Sequence, residues 1–191
     1  MTELRPAGAL APDWWKPFLD FWFGTLKRAD WFARSDDVDR VLAERFGATY
    51  ERIAGATLDV ARMSEHEVLA AVIALDQIPR NIFRGTPRSF ETDAKALAVT
   101  DAAVARGHDK SLGLHERLFL YLPLEHSEDL SDQERAVDLI SALGDAEYTR
   151  YAIAHRAIIL RFGRFPHRNA ILDRTSTPEE IAFLAEPGSS F

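Results

Sequence analysis

Three stretches of this chain combine ionisable side chains at spacings that could support chemistry. The first is Asp76-Gln77-Ile78-Pro79-Arg80-Asn81-Ile82-Phe83-Arg84. Leu69, Ile73 and Asp76 fall at i, i+4 and i+7 of one helical stripe, so Asp76 points inward with the apolar side chains. A carboxylate in that position needs a cation, and Arg80 one turn on supplies it, either as a structural bridge at a helix end or as part of a site. The second stretch, Glu125-His126-Ser127-Glu128-Asp129, follows Pro123. A histidine flanked by carboxylates can exchange protons near neutrality; the same residues also suit a solvated loop leading into a helix. In the third, Tyr148, Ala152, His155, Ile159 and Phe162 recur at 4-3-4-3 spacing, which places His155 inside. Ile153, Ala157 and Leu160 add a second apolar stripe, so this is expected to be the most buried helix of the protein.

Charge gives these stretches a common theme. The chain has a net charge of −7, yet from Arg150 to Arg174 it carries six arginines and a single acid, Asp173, a local charge of +5. Two guanidinium groups about 6 Å apart repel by roughly 3 kcal/mol at an effective dielectric near 20, so converging arginines need anions between them. Asp76, Glu125, Glu128 and Asp129 are the internal candidates. If all are engaged, the cluster is a closed structural network that fixes the curvature of a helical scaffold, whose concave face receives a protein or peptide partner. If they are not, surplus Arg and His face a cavity suited to a small phosphate or carboxylate, which Arg grips through two N–H groups. Asp76, Arg80, Asn81, Arg84, Arg164, His167, Arg168 and Asn169 would then bind the ligand, and His126 or His155, tuned by Glu125 or Glu128, would be the acid or base. A metal site is not expected: His155 and His167 are 12 positions apart, there is no HExxH pair, and arginines repel a cation. No cofactor is expected either, since neither GxGxxG nor a P-loop pattern occurs, and Gly85 and Gly163 read as turn and helix-stop residues.

The elements that must position these residues are helices. No segment shows sustained period-2 alternation, and Ala and Leu contribute 28 and 21 residues against 18 Val and Ile together. Capping boxes at Ser64/Glu67, Ser131/Glu134 and Thr177/Glu180 mark helix starts, the last reinforced by Pro178 at the first helical position. Pro79, Gly107, Gly144 and Gly163 mark stops, and Pro123 closes a run from Leu114 to Leu122. Separate helices are expected from about Asp36 to Phe46 and from about Thr49 to Ala61. The aromatic-rich stretch from Asp13 through Trp31-Phe32 reads as a short helix and turn, and residues 1–12 as a loose arm. The whole is an all-α chain of about nine or ten helices in antiparallel hairpins, with residues 13–191 a single domain.

Composition removes several functions. Without cysteine there is no disulfide, thiolate nucleophile or iron–sulfur cluster. The longest uncharged apolar run, Val68 to Leu75, is far short of the roughly 18 residues of a membrane span, and no leader peptide is expected from residues 1–12. The acidic balance argues against a nucleic-acid partner. A cytoplasmic location is the natural expectation.

Taken with their order, four motifs carry a resemblance: Phe21-Trp22-Phe23-Gly24, the stretch from Asp76 to Thr86, the stretch from Phe119 to Asp129, and Phe162-Gly163-Arg164-Phe165-Pro166-His167-Arg168-Asn169. From about Trp14 to Phe191 the chain resembles a bacterial family known as domain of unknown function 924. The resemblance implies a tetratricopeptide-like helical superhelix and no established activity. Two positions depart from the family pattern: Ile78 stands where Phe is expected, and Asp173 where Gly is expected. The second leaves a less permissive backbone and adds a carboxylate beside the arginines.

Overall fold

A computed structural model of the chain describes residues 11–189; residues 1–10 of the expected arm, and 190–191, lie outside the described residues. Among the described residues there are nine α-helices and no strand. They are α1 (Lys16–Leu19), α2 (Arg28–Trp31), α3 (Asp36–Gly55), α4 (Glu65–Ile82), α5 (Asp93–Arg106), α6 (Leu114–Glu125), α7 (Leu130–Ser141), α8 (Ala146–Phe162) and α9 (Pro178–Leu184). Short connections make sequential helices pack as neighbours: α3 on α4, α4 on α5, α6 on α7 and α7 on α8, with α4 also against α6.

The centre is α4. Every residue from Val68 to Pro79 is buried, so this helix, and not α8, is the most buried one. In α8 the stripe of Tyr148, Ala152, His155 and Ile159 is buried as expected, but Ile153 and Leu160 are 51% and 59% exposed and Ala157 is exposed with them. The reason is position: α8 packs chiefly on α7, and among the described residues Ile153, Ala157 and Leu160 on its other face stay exposed.

Capping explains where most helices begin. Ser64 accepts from the Glu67 amide while Glu67 accepts from the Ser64 amide, and Thr177 and Glu180 do the same for α9. The third expected box is different: Asp129, not Ser131, caps α7, its Oδ1 accepting from the Ser131 amide and hydroxyl. Gly107 and Gly163 end α5 and α8 in the left-handed region, at φ of 74° and 67°.

Three expected boundaries move. Residues 36–55 form one continuous helix through Gly47, where two were expected; packing on α4 outweighs the roughly 1 kcal/mol that a glycine costs in a helix interior. Pro79 does not end α4, which continues to Ile82. Proline cannot donate to the carbonyl four residues back, and here that carbonyl, Leu75 O, accepts instead from Thr92 Oγ1 at 2.5 Å. Pro123 likewise lies inside α6, which runs to Glu125. Both prolines sit in the final turn or so of their helices, so little helix is left to disrupt. These extensions carry Arg80 and Glu125 into helical register.

Candidate functional site

Three helix ends and a turn meet at one corner: the end of α4, the start of α5, the end of α6, and the 3-10 turn Pro166–Arg168 that follows α8. Asp76, 1% exposed, is its anchor. Its Oδ1 lies 2.8 Å from His126 Nδ1 and 3.3 Å from Arg80 Nη1, and its Oδ2 accepts from Gln77 Nε2 at 2.6 Å. Arg80 also donates to Asp76 O at 2.6 Å and forks onto Asp93, Nη1 to Oδ1 at 2.8 Å and Nη2 to Oδ2 at 2.9 Å. Burial alone would raise the Asp76 carboxyl, but Arg80 and His126 outweigh it and hold it below the usual carboxylate range. Against an ionised carboxylate, which only accepts, His126 Nδ1 must carry the hydrogen. Burial above all lowers the His126 pKa and Arg80 and His155 add to it, against the opposing pull of Asp76. Among the described residues His126 Nε2 has no hydrogen-bond partner, and it is not one of the buried atoms left without one. A carboxylate-oriented neutral imidazole with its outer nitrogen accessible can accept a proton.

Arg168 closes the corner. It is 6% exposed, and its guanidinium lies over the rings of Phe165 at 4.5 Å and Phe90 at 4.8 Å. Nη2 donates to His126 O at 3.0 Å, while Nη1 is 3.5 Å from Asp93 Oδ2, the oxygen that Arg80 already holds. Its Nε is buried with no hydrogen-bond partner, as is Nδ1 of the adjacent His167. Burial, and then Arg80, lower Arg168 to about 10; burial, and then Arg168 and His155, lower His167 to about 4. His155 lies behind His126, ring centroids 6.2 Å apart, with its Nδ1 3.0 Å from Glu125 Oε1 and 2.9 Å from Tyr151 O.

The other expected residues make their contacts elsewhere. Glu128 accepts twice from Arg174, at 2.7 and 3.0 Å, and from the Phe165 amide at 2.8 Å; against its burial, these bonds hold its carboxyl low. Arg164 forks onto Glu180 at 2.6 and 2.8 Å, and that bond first, with the Thr177 amide, holds Glu180 at about 2. Asn169 donates to Ser176 Oγ at 3.0 Å beside it. Arg84 turns to α3, pairing with Asp39 at 3.0 Å, and Asn81 donates to Gln77 O within its own helix. Asp129 is a cap and pairs with no arginine.

Each of the six arginines from 150 to 174 thus meets a carboxylate from outside that window: Arg150 with Glu147, Arg156 with Glu134, Arg161 with Glu179, Arg164 with Glu180, Arg168 with Asp93 and Arg174 with Glu128. The surplus inferred from local charge is answered by the protein itself. Asp93, Gln77, Phe90, Arg174 and Glu180 are part of these networks and were not among the site residues expected from sequence. The signal for Glu180 was its capping box; Asp93 had none beyond its place at a helix start. Asp173, where the resemblance implies glycine, has φ 53°, the only non-glycine residue with positive φ among the described residues.

The depressed imidazoles set a pH dependence. Between about 6.5 and 4 the unfolded chain protonates His167 and the folded protein does not, so stability is intact above about 6.5 and is lost as pH falls through that window. His126 acts in the same direction. Chemical denaturation at pH 7 and pH 4.5 should show a loss on the order of 2–3 kcal/mol from His167, and H167Q should flatten that part of the profile. An unchanged slope in H167Q would show that its imidazole titrates normally.

The fold and the site define an all-helical protein in which helix ends are joined by a buried arginine, carboxylate and imidazole network. The chain belongs to a family of bacterial proteins of unknown function, DUF924, whose model matches residues 18–188. It is similar to the solved structure of a protein of unknown function, ATU0120, from Agrobacterium tumefaciens: 40% identity, 90% of this chain and 96% of that chain covered, TM-score 0.85. None of the curated proteins matches the sequence. Among the described residues no helix is long and apolar enough to cross a membrane.

Proposed function

We propose that the corner formed by Asp76, His126 and Arg168 binds a small anionic metabolite, with Arg168 as the anion contact and His126 as the acid or base. The observation that carries this reading is Arg168 itself. It is more than nine-tenths buried, its nearest carboxylate is 3.5 Å away and shared with Arg80, and its Nε lacks a partner. A desolvated cation so loosely matched, beside an accessible imidazole nitrogen, is suited to a ligand anion.

A thermal-shift panel of phosphorylated and carboxylated metabolites at low and high salt tests this. A ligand at about a hundred times its Kd stabilises by about 2.7 kcal/mol, which is roughly 5–10 °C for a chain of this size. The shift should disappear in R168Q. Failure of every compound at millimolar concentration removes the reading.

One observation favours a second reading, a scaffold for a protein or peptide partner in which the ion pairs fix the helix ends. It is the exposed apolar stripe of α8, Ile153, Ala157 and Leu160, next to a shallow cavity of about 440 Å³ lined by Gly144, Ala146, Thr149, Arg150 and Ile153. Affinity capture should then recover a partner with the wild type that the I153E/L160E double variant does not retain. Equal recovery by both proteins would dispose of the stripe as a docking face.

A further inference from the structure

The fixed charges at the corner are already balanced. Arg80 and Arg168 face Asp76 and Asp93, two positive against two negative. Next to them Arg174 is matched by Glu128, and the Glu125–His155 pair adds no positive charge. An anion entering this corner therefore brings an uncompensated negative charge into a poorly hydrated place, and like charges so close disfavour each other strongly. The group oriented to offset a single charge without breaking an ion pair is His126, whose Nδ1 hydrogen is committed to Asp76 and whose Nε2 is accessible.

Resting on the reading of this corner as an anion site, we infer that it takes its anion together with one proton, carried on His126 Nε2, and that its ligand class is the monoanionic carboxylate and not the phosphate or sulfate dianion. A dianion would need two protons or the release of Asp93 from both arginines. A monocarboxylate needs one, and the imidazolium formed lies between the Asp76 carboxylate and the bound anion. The groups that face His126 are Asp76 and Arg80 from α4, Asp93 through the arginines from α5, Glu125 on its own helix, His155 from α8, and His167 and Arg168 from the turn after α8. Of the imidazoles among them, His155 is engaged by Glu125 and Tyr151 O, and His167 has its Nδ1 enclosed.

The test is calorimetric titration of the full chain with acetate, pyruvate and benzoate, and separately with inorganic phosphate and sulfate, at pH 6, 7 and 8. Each is run in two buffers of different ionisation heat. The expected result is uptake of close to one proton per carboxylate bound, binding that weakens by up to tenfold per pH unit between pH 6 and 8, and at least tenfold weaker binding of sulfate at every pH and of phosphate at pH 8, where it is mainly the dianion. H126Q, which keeps a hydrogen-bonding side chain but cannot take the proton, should bind weakly and without pH dependence. The two-buffer measurement on the wild type decides the matter even if that variant does not fold. Carboxylate binding with no proton uptake and equal affinity at pH 6 and 8, or tighter binding of the dianions, overturns the inference and leaves the anion site standing. No binding of any of the five overturns both.

Discussion

Replacing Asp76 with alanine is expected to destabilise the protein by about 3–5 kcal/mol, the range for breaking a buried charge pair by removing one partner. The side chain is 1% exposed and accepts from three different residues, so its loss strands more than one group. Arg80 keeps Asp93 but loses a second carboxylate in a place only 19% exposed to solvent. His126 loses the acceptor for its Nδ1 hydrogen, and Gln77 loses an acceptor for its amide. At about 2–4 °C per kcal/mol for a chain of this length, the melting temperature should fall by roughly 6–20 °C in a calorimetric scan. D76N, which retains one acceptor oxygen and adds two donors among existing donors, should lose nearly as much; D93A, with its carboxylate 22% exposed, should lose less. If D76A costs under about 1 kcal/mol, the corner is not held together by this carboxylate.

The distinction between Asp76 and Asp93 also separates what sequence can and cannot disclose. Asp76 was legible because its neighbours Leu69 and Ile73 repeat with the helical period, and so was His155 for the same reason. Ser64, Thr177, Gly107 and Gly163 were legible because capping and left-handed stops act within four residues. Pairing across the fold has no such signature: His126 is 50 positions from Asp76, Glu128 is 46 from Arg174, and Arg84 is 45 from Asp39. Local charge therefore suggested a surplus of arginine that distant carboxylates remove. The same limit misplaced α8. Periodicity revealed both of its apolar stripes, but which of them faces a neighbour depends on the order in which helices stack, and one is left open. Pro79 misled for the opposite reason, since the Thr92 hydroxyl at the start of α5 took up a carbonyl that local rules left orphaned; Pro123 misled because it falls within the last turn of α6, where little helix is left to disrupt.

Loss of the Trp22 ring should be comparably severe, and it separates burial from hydrogen bonding. Trp22 is 1% exposed in the π-helical stretch Asp20–Thr25 that follows α1, its ring set edge-on against Phe119 of α6 at 5.5 Å and parallel to Phe18 at 6.4 Å. Its carbonyl accepts from Trp31 Nε1 at 2.8 Å, which ties the aromatic segment to α2. W22A removes the whole ring from a packed interior and is expected to cost about 3–5 kcal/mol. The indole Nε1, however, is buried without an acceptor, and such a donor itself costs about 1–3 kcal/mol. W22F discards that donor while keeping a ring against Phe119, so the smaller ring's lost contacts are largely offset and the net change should stay within about 1.5 kcal/mol. Urea denaturation of the two variants gives the comparison directly. A W22F loss as large as that of W22A would mean that the indole nitrogen is bonded, for instance to an enclosed water, and that this corner of the aromatic core is held by a polar contact as well as by packing.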